Sequence, residues 1–550
     1  MSKSNAEAAI SSKLTELQER IKSLFRGQEK IAVIEIVRTL DYISILELTD
    51  APLSADQRTN NYFARCGAAA ALQPVLPLVE EAGEGVPWHS SGEHLATYFY
   101  SYLVTCGKLV DLLRLVRLER YGLARTEVAL ARVDIYVQSD ARERRARGIS
   151  RALRLSQVER ADIGVPNTLI NRMREYVQKD EAYLIRYDND WEIVGEYRRR
   201  AKRYSRYFLE GEAFPDTFIL GGRPFLDWKI ACEDALGRIL MHADFSFLLC
   251  EKHPEISLRD IITVPVRKED VADIWGESGH NSESVASIMR TLTLHSGDLV
   301  GWRDSFEIPT CYYIGIGSDF LLLSSFGALL NPYYSLFRYL RTAYRGDWDR
   351  GVDLREGIFR ADLRKLFSEE RFLVPSHGYK VKREDGSHLT DIDAVVCDRS
   401  TGSLALFQLK WHDVYGRSLS ERESRRKNLA KAADWVARVS AWIGGKSSRE
   451  VAAALGLQVA CSEAVPELYV IARYGAQFEG DDRDDRDATW LPWAELMALK
   501  EADAGKDPLR GIAVAARTTG GDGDGEASSA NYGFPGLTVI VHVAGGSMKS

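Results

Sequence analysis

The chain has no CxxC pair, no run of eighteen uncharged apolar residues, no internal repeat and no large excess of charge of either sign. Its seven cysteines (Cys66, Cys106, Cys232, Cys250, Cys311, Cys397, Cys461) lack the paired spacing of a disulfide framework or a zinc cage, and they read as reduced, mostly buried thiols. Cys250 and His253 in CEKH could be two metal ligands, but nothing nearby completes a set of four. Without a long apolar run no membrane span is expected. The opening MSKSNAEAAISSKLTELQERIKSLF carries acidic residues and helical spacing where a secretory signal needs an apolar stretch and a small-residue cleavage site, so the expected location is cytoplasmic. A net charge of −7 argues against indiscriminate coating of nucleic acid, yet it leaves room for a local positive channel.

What is present is a globular composition, 45 % hydrophobic and 10 % aromatic over 550 residues, enough for about three domains. Residues 1–205 read as a helical domain, with apolar residues at i, i+3, i+4 and i+7 in LTELQERIKSLF, IAVIEIVRTLDYISILELT and HLATYFYSYLVTCGKLVDLLRLVRLERYGL. Residues 206–345 mix short β-like runs with helical ones, an α+β or helical middle domain whose role the sequence does not state. His242, His280 and His295 lie there without a shared motif. Residues 346–500 form a third, α/β unit. Residues 501–550, rich in Gly, Asp and Ser, read as a flexible tail before a last β-like run, LTVIVHV.

Two arginine-dense stretches stand out, ARERRARGISRALR and EYRRRAKRYSRYF, the second with Tyr197, Tyr204 and Tyr207 interleaved. Arginine with aromatics can hold a phosphate backbone and stack bases. The same pattern also describes long side chains solvating a helix face.

Chemistry concentrates in residues 353–475. The order is helix (LREGIFRADLRKLFSEE), short strand (HGYKVKRE), two strands joined by the turn DRSTG (TDIDAVVCDRSTGSLALFQLKW), a basic helix (ERESRRKNLAKAADWVARVSAWI) and a strand (LYVIAR). Period 2 puts Asp391, Asp393 and Val395 on one face and Ile392, Ala394 and Val396 on the other. Gln408 and Lys410, two apart, leave the second strand on one face, and Asp393 can approach Gln408 across the pair. A carboxylate, an oxygen ligand on the next strand and a lysine two residues on suit hydrolysis of a phosphodiester with Mg²⁺ or Mn²⁺, and the Leu409 carbonyl adds a ligand oxygen. Burying these groups among apolar strand residues carries a desolvation cost that a purely structural hairpin seldom accepts.

These residues resemble the PD-(D/E)XK nuclease superfamily, whose helix–hairpin–strand–helix–strand core carries D…(D/E/Q)-x-K. DIDAVV and FQLKW are similar to the QxK variant of Mrr-type and NERD-like nucleases. The resemblance covers about 120 residues. It implies a restriction-endonuclease-like fold with Asp393 as catalytic aspartate, Gln408 in place of the commoner Glu, Lys410 as catalytic lysine, and Glu356 as the extra acid of the preceding helix. The neutral Gln408 leaves one negative charge fewer for the metal, which makes Glu356 the expected fourth contributor. Arg425, Arg426, Lys427 and Lys431 on the basic helix would contact phosphates, or equally form a solvated face. The expected substrate is DNA, with RNA open, and the expected setting, by analogy with Mrr-like nucleases fused to large domains, is prokaryotic defence against foreign DNA. The N-terminal domains would receive a partner protein or a second copy. The rival expectation is a nucleic-acid-binding or scaffold protein that keeps the fold without turnover.

Overall fold

The computed structural model describes residues 5–544 apart from 50–51, 81, 84, 88, 140–142, 144–147, 149–151, 153–163, 180–184, 188, 278–280, 384, 415, 477, 479–486, 503–504 and 520–526. His280 and most of the first arginine-dense stretch lie outside these residues. The protein mixes helices with several small sheets around separate cores. Among the described residues no helix is long and apolar enough to cross a membrane.

The first core surrounds α1 (Glu29–Leu46), which is apolar on nearly every side and therefore central. Beside it lies α2 (Glu93–Arg117), which crosses the helix Ala55–Cys66 at Gly107; a Cβ there would fall 1.7 Å from the Phe63 carbonyl oxygen, so only glycine permits this approach. Strand β1 (Arg132–Gln138) pairs antiparallel with Ala124–Ala129. α1 also carries buried Glu35 and Arg38, which join this core to the next: Arg259 donates to Glu35 at 3.0 Å and to Thr39 at 2.7 Å, and Arg38 donates to the Asp260 carbonyl at 3.2 Å.

The second core begins before residue 205. In α3 (Trp191–Ser205) the buried stripe Ile193, Tyr197, Ala201 faces α4 (Phe225–Lys252), so this helix belongs with the middle of the chain and the expected boundary at 205/206 divides no cores. The arginines of α3 are ion-paired: Arg198 with Asp234, Arg199 and Arg203 with Glu196, Arg200 with Asp244. Helix-face packing accounts for that tyrosine–arginine stretch.

The third unit opens with α5 (Arg345–Leu366), followed by β2 (Tyr379–Lys382), β3 (His388–Ile392), β4 (Ala394–Asp398) and β5 (Leu404–Lys410). Then come α6 (Leu419–Ile443), β6 (Glu467–Ala472) and β7 (Thr489–Pro492). The five-stranded sheet runs Phe372–Leu373, β4, β5, β6, β7, with β4 antiparallel to both its neighbours and the last three strands parallel. One face packs on α6 through Val395, Leu406 and Val470 against Leu429 and Trp435; the other packs on α5 through Val396, Phe407 and Ile471 against Phe359 and Leu363. Two covered faces explain the near-continuous apolar run LALFQL.

The segment 501–550 departs from its reading as a flexible tail. α7 (Pro508–Thr519) buries Leu509, Ile512 and Ala513 under the sheet, extending the third unit beyond residue 500. β8 (Ser528–Phe534) and β9 (Leu537–Ala544) form a hairpin, and β9 lies parallel to β1 with Val539 and Val541 in the first core. The Gly-rich 520–526 between α7 and β8 falls outside the described residues. Alternating LTVIVHV needed an apolar surface, and the distant β1 edge supplies it.

Candidate active site

Asp393 stands where the chain changes sheets. β3 pairs with β2 in a two-stranded ribbon, β4 pairs with β5 in the main sheet, and the Asp393 N–H makes the last rung, donating to the Phe407 carbonyl at 3.1 Å. Period 2 therefore breaks at this residue: Ile392 joins Val395 in one core, whereas the alternation had set it with Ala394 and Val396. Asp391 is exposed beside His388, and its carbonyl accepts from the Trp435 indole at 2.6 Å.

The break turns the Asp393 carboxylate onto the open end of β5. Its Oδ2 accepts the Leu409 N–H at 2.7 Å and the Gln408 side-chain amide, and both side chains are buried. In an extended strand a residue's N–H and C=O lean to the same side, so the Leu409 carbonyl faces this edge too. Burial is the largest influence on Asp393 and, with Glu356 nearby, pushes its carboxyl up to about 6 against the Leu409 N–H, Lys410 and Gln408. Lys410 is held below its ordinary value first by burial and then by Lys431, with Asp393 and Glu356 acting the other way. Among the described residues Lys410 makes no ion pair, so its ammonium is available to a ligand.

Glu356 on α5 is exposed at 54 % of its side chain, yet it sits within electrostatic reach of both Asp393 and Lys410. Arg360, one turn on, bridges the two elements, donating to the Glu356 carboxylate and to the Asp393 carbonyl, each at 2.5 Å. Sequence reasoning missed Arg360, whose only signal was its i+4 spacing from Glu356. Two other acids of this helix region are engaged elsewhere, Asp362 with Arg473 and Glu369 with Lys500.

The basic helix contributes less than its composition promised. Lys431 is exposed and near Lys410, but Arg425 is buried at 7 % exposure, and Arg426 and Lys427 both lie against Glu423, at 2.8 Å and 3.8 Å. Arg425 instead neighbours His412, which also went unread in the sequence; burial first, then Arg425 and Lys410, push that imidazole down to about 4, so it is neutral at pH 7.

The oxygens here that could hold a hard cation are the Asp393 carboxylate, the Leu409 carbonyl, the Gln408 amide oxygen once that amide is turned, and the Glu356 carboxylate of α5. Among the described residues no three side chains of the His, Cys, Asp and Glu types are grouped so as to hold a metal ion. Compared with protein-family models, with curated proteins and with solved structures, the chain finds no match.

Proposed function

We propose that residues 345–519 form a PD-(D/E)XK-type nuclease unit that hydrolyses phosphodiester bonds of DNA with Mg²⁺ or Mn²⁺. The observation that carries this reading is the convergence of Asp393, Gln408, the Leu409 backbone, Lys410 and Glu356 at one open strand end. The helix, hairpin, helix and parallel-strand order around it supports the same reading. Asp393, the Leu409 carbonyl, Gln408 and Glu356 would hold the cation, which when bound polarises a phosphoryl oxygen and acidifies water. Lys410 would place its ammonium on the attacking water or on the charge that develops at phosphorus. Arg360 fixes Asp393 to α5, and Lys431 widens the positive rim. The biological setting we propose is defence against foreign DNA, with the first two cores sensing a partner or trigger.

A non-catalytic, nucleic-acid-binding role draws on one observation: the Gln408 amide and a raised Asp393 carboxyl make the cluster self-satisfied without a metal. Nicking of supercoiled plasmid across a Mg²⁺ titration decides between the two. Metal-dependent cleavage by wild type that Lys410→Ala loses supports the nuclease, and absence of cleavage in both supports the binding protein.

A further inference from the structure

The four-stranded sheet of the first core has two edges, and they are finished differently. Its order is Ala124–Ala129, β1, β9, β8. Along the Ala124–Ala129 edge the Thr126 N–H donates to the Glu119 carboxylate at 3.2 Å, the Thr126 hydroxyl donates to the same carboxylate at 3.1 Å, and Arg125 and Glu127 stand exposed on either side. Charge and a covering side chain are means by which proteins keep a sheet edge from pairing with another chain.

The β8 edge has neither. Its seven residues, SSANYGF, include no charged residue and no proline, and the register with β9 runs without a bulge. Phe534 and Leu537 close a two-residue turn, so Phe534, Tyr532 and Ala530 exchange hydrogen bonds with β9, and the N–H and C=O groups of Ser529, Asn531 and Gly533 point out of the sheet. Among the described residues no hydrogen bond reaches those outward groups. Ser529, Asn531 and Gly533 are exposed, whereas Tyr532 and Phe534 pack against the first core.

We propose that β8 pairs antiparallel with the β8 of a second copy about a two-fold axis through Asn531, joining two sheets into one. The strand fits itself in that register. Asn531 meets its own counterpart and Ser529 meets Gly533 on each side of the axis, so every outward N–H and C=O gains a partner. On the face toward the core, Ala530 of one copy lies beside Tyr532 of the other, small against large, and the pair brings no like charges together. A foreign peptide would need side-chain recognition as well as main-chain bonds, and Ser529, Asn531 and Gly533 offer little beyond the main chain. The assembly also closes on itself: pairing consumes both β8 edges, and the strands then left outermost are the two guarded ones. The inference is independent of the nuclease reading.

The test is sedimentation velocity on the full-length protein over about a hundredfold range of concentration, because an assembly held by one strand pair dissociates on dilution. A reversible monomer–dimer equilibrium with nothing larger is expected. Asn531→Lys sets two ammonium groups against each other on the axis, and Asn531→Pro deletes an N–H that β9 does not use. Each should weaken the dimer about tenfold or more, while the thermal midpoint of the dilute protein is unchanged. Glu127→Lys, on the guarded edge, should leave the equilibrium as it is. In the wild type, hydrogen exchange across residues 528–534 should slow as concentration rises. A wild type monomeric throughout, growth past the dimer, a dimer indifferent to both Asn531 variants, or exchange in 528–534 that ignores concentration overturns the proposal. A dimer that Glu127→Lys dissolves as readily as Asn531→Lys overturns it too, since the contact would then lie on the other edge.

Discussion

The carboxylate of Asp393 accepts the backbone N–H of Leu409 at 2.7 Å, so an acid at the start of one strand is held by the main chain of its neighbour. Positioning by backbone leaves little freedom for the carboxylate to wander, and it ties substitution there to chemistry more than to folding. Asp393→Ala should abolish plasmid nicking, while Gln408→Glu, which restores a second carboxylate, should keep or raise nicking at low Mg²⁺. A fully active Asp393→Ala places the active centre elsewhere.

On the proposed nuclease reading Lys410 acts on turnover rather than on the cation. Lys410→Ala should lower the cleavage rate at saturating Mg²⁺ by about a hundredfold or more, the scale of losing a charged stabiliser of a developing anion. The Mg²⁺ concentration giving half-maximal rate should stay within about twofold. A shifted Mg²⁺ midpoint with an unchanged maximal rate would assign the lysine to metal binding.

The raised Asp393 carboxyl makes a signed statement about pH. Between its ordinary 3.8 and about 6 the folded chain holds a proton that the unfolded chain has released, so stability contributed by this group is present below about pH 4 and lost as pH rises through 6. Asp393→Asn should remove that slope and gain up to about 3 kcal/mol at pH 7 relative to pH 4 in the absence of metal. Asp41, also pushed up to about 6 by burial, has the same sign and remains in both proteins, so the difference isolates Asp393. Urea unfolding at the two pH values measures it, and identical slopes would contradict the burial argument. Nicking should rise over the same interval, because a ligand carboxyl must lose its proton.

Glu35 shows the opposite sign. Burial opposes its ionisation, but hydrogen bonds from His89, Ser91 and Arg259 hold its carboxyl at about 2. Its contribution is therefore present above about 4.5 and lost as pH falls toward 2. Glu35→Ala strands Arg38 and Arg259 between two cores and should cost about 3–5 kcal/mol, read as a lowered thermal midpoint at pH 7. A change under 1 kcal/mol, roughly the worth of a surface pair, would mean that water replaces the carboxylate.

Removal of residues 528–550 should destabilise the N-terminal core. Val539 and Val541 leave a buried surface and β1 loses its parallel partner. The milder Val539→Ala should cost about 1–3 kcal/mol, and calorimetry of full-length variants checks it. An unchanged melting curve would show that the hairpin docks without contributing.

Much of the site was legible because its geometry is local. Gln408 and Lys410 are two apart on one strand, and DRSTG marks the turn that brings Asp393 back to them. What escaped was whatever depends on a partner. Periodicity cannot report that β3 and β4 join different sheets, so Ile392 was set on the wrong face. Nor does composition tell an arginine that solvates a helix from one, like Arg425, that the fold turns inward. The Gly-rich 520–526 suggested a slack end because nothing adjacent in sequence shows that β1 waits for a strand.

That strand arrives late. β1 is made early, yet its parallel neighbour β9 emerges roughly four hundred residues later, after every strand of the five-stranded sheet. Domains tend to fold in the order they leave the ribosome, so here the first core must persist with an open, pairing-competent edge while the rest is synthesised. The sheet bearing Asp393 and Lys410 can close before the first core does. During translation the N-terminal core is thus the exposed partner and the catalytic candidate the finished one, which makes β9 a seal on the whole chain.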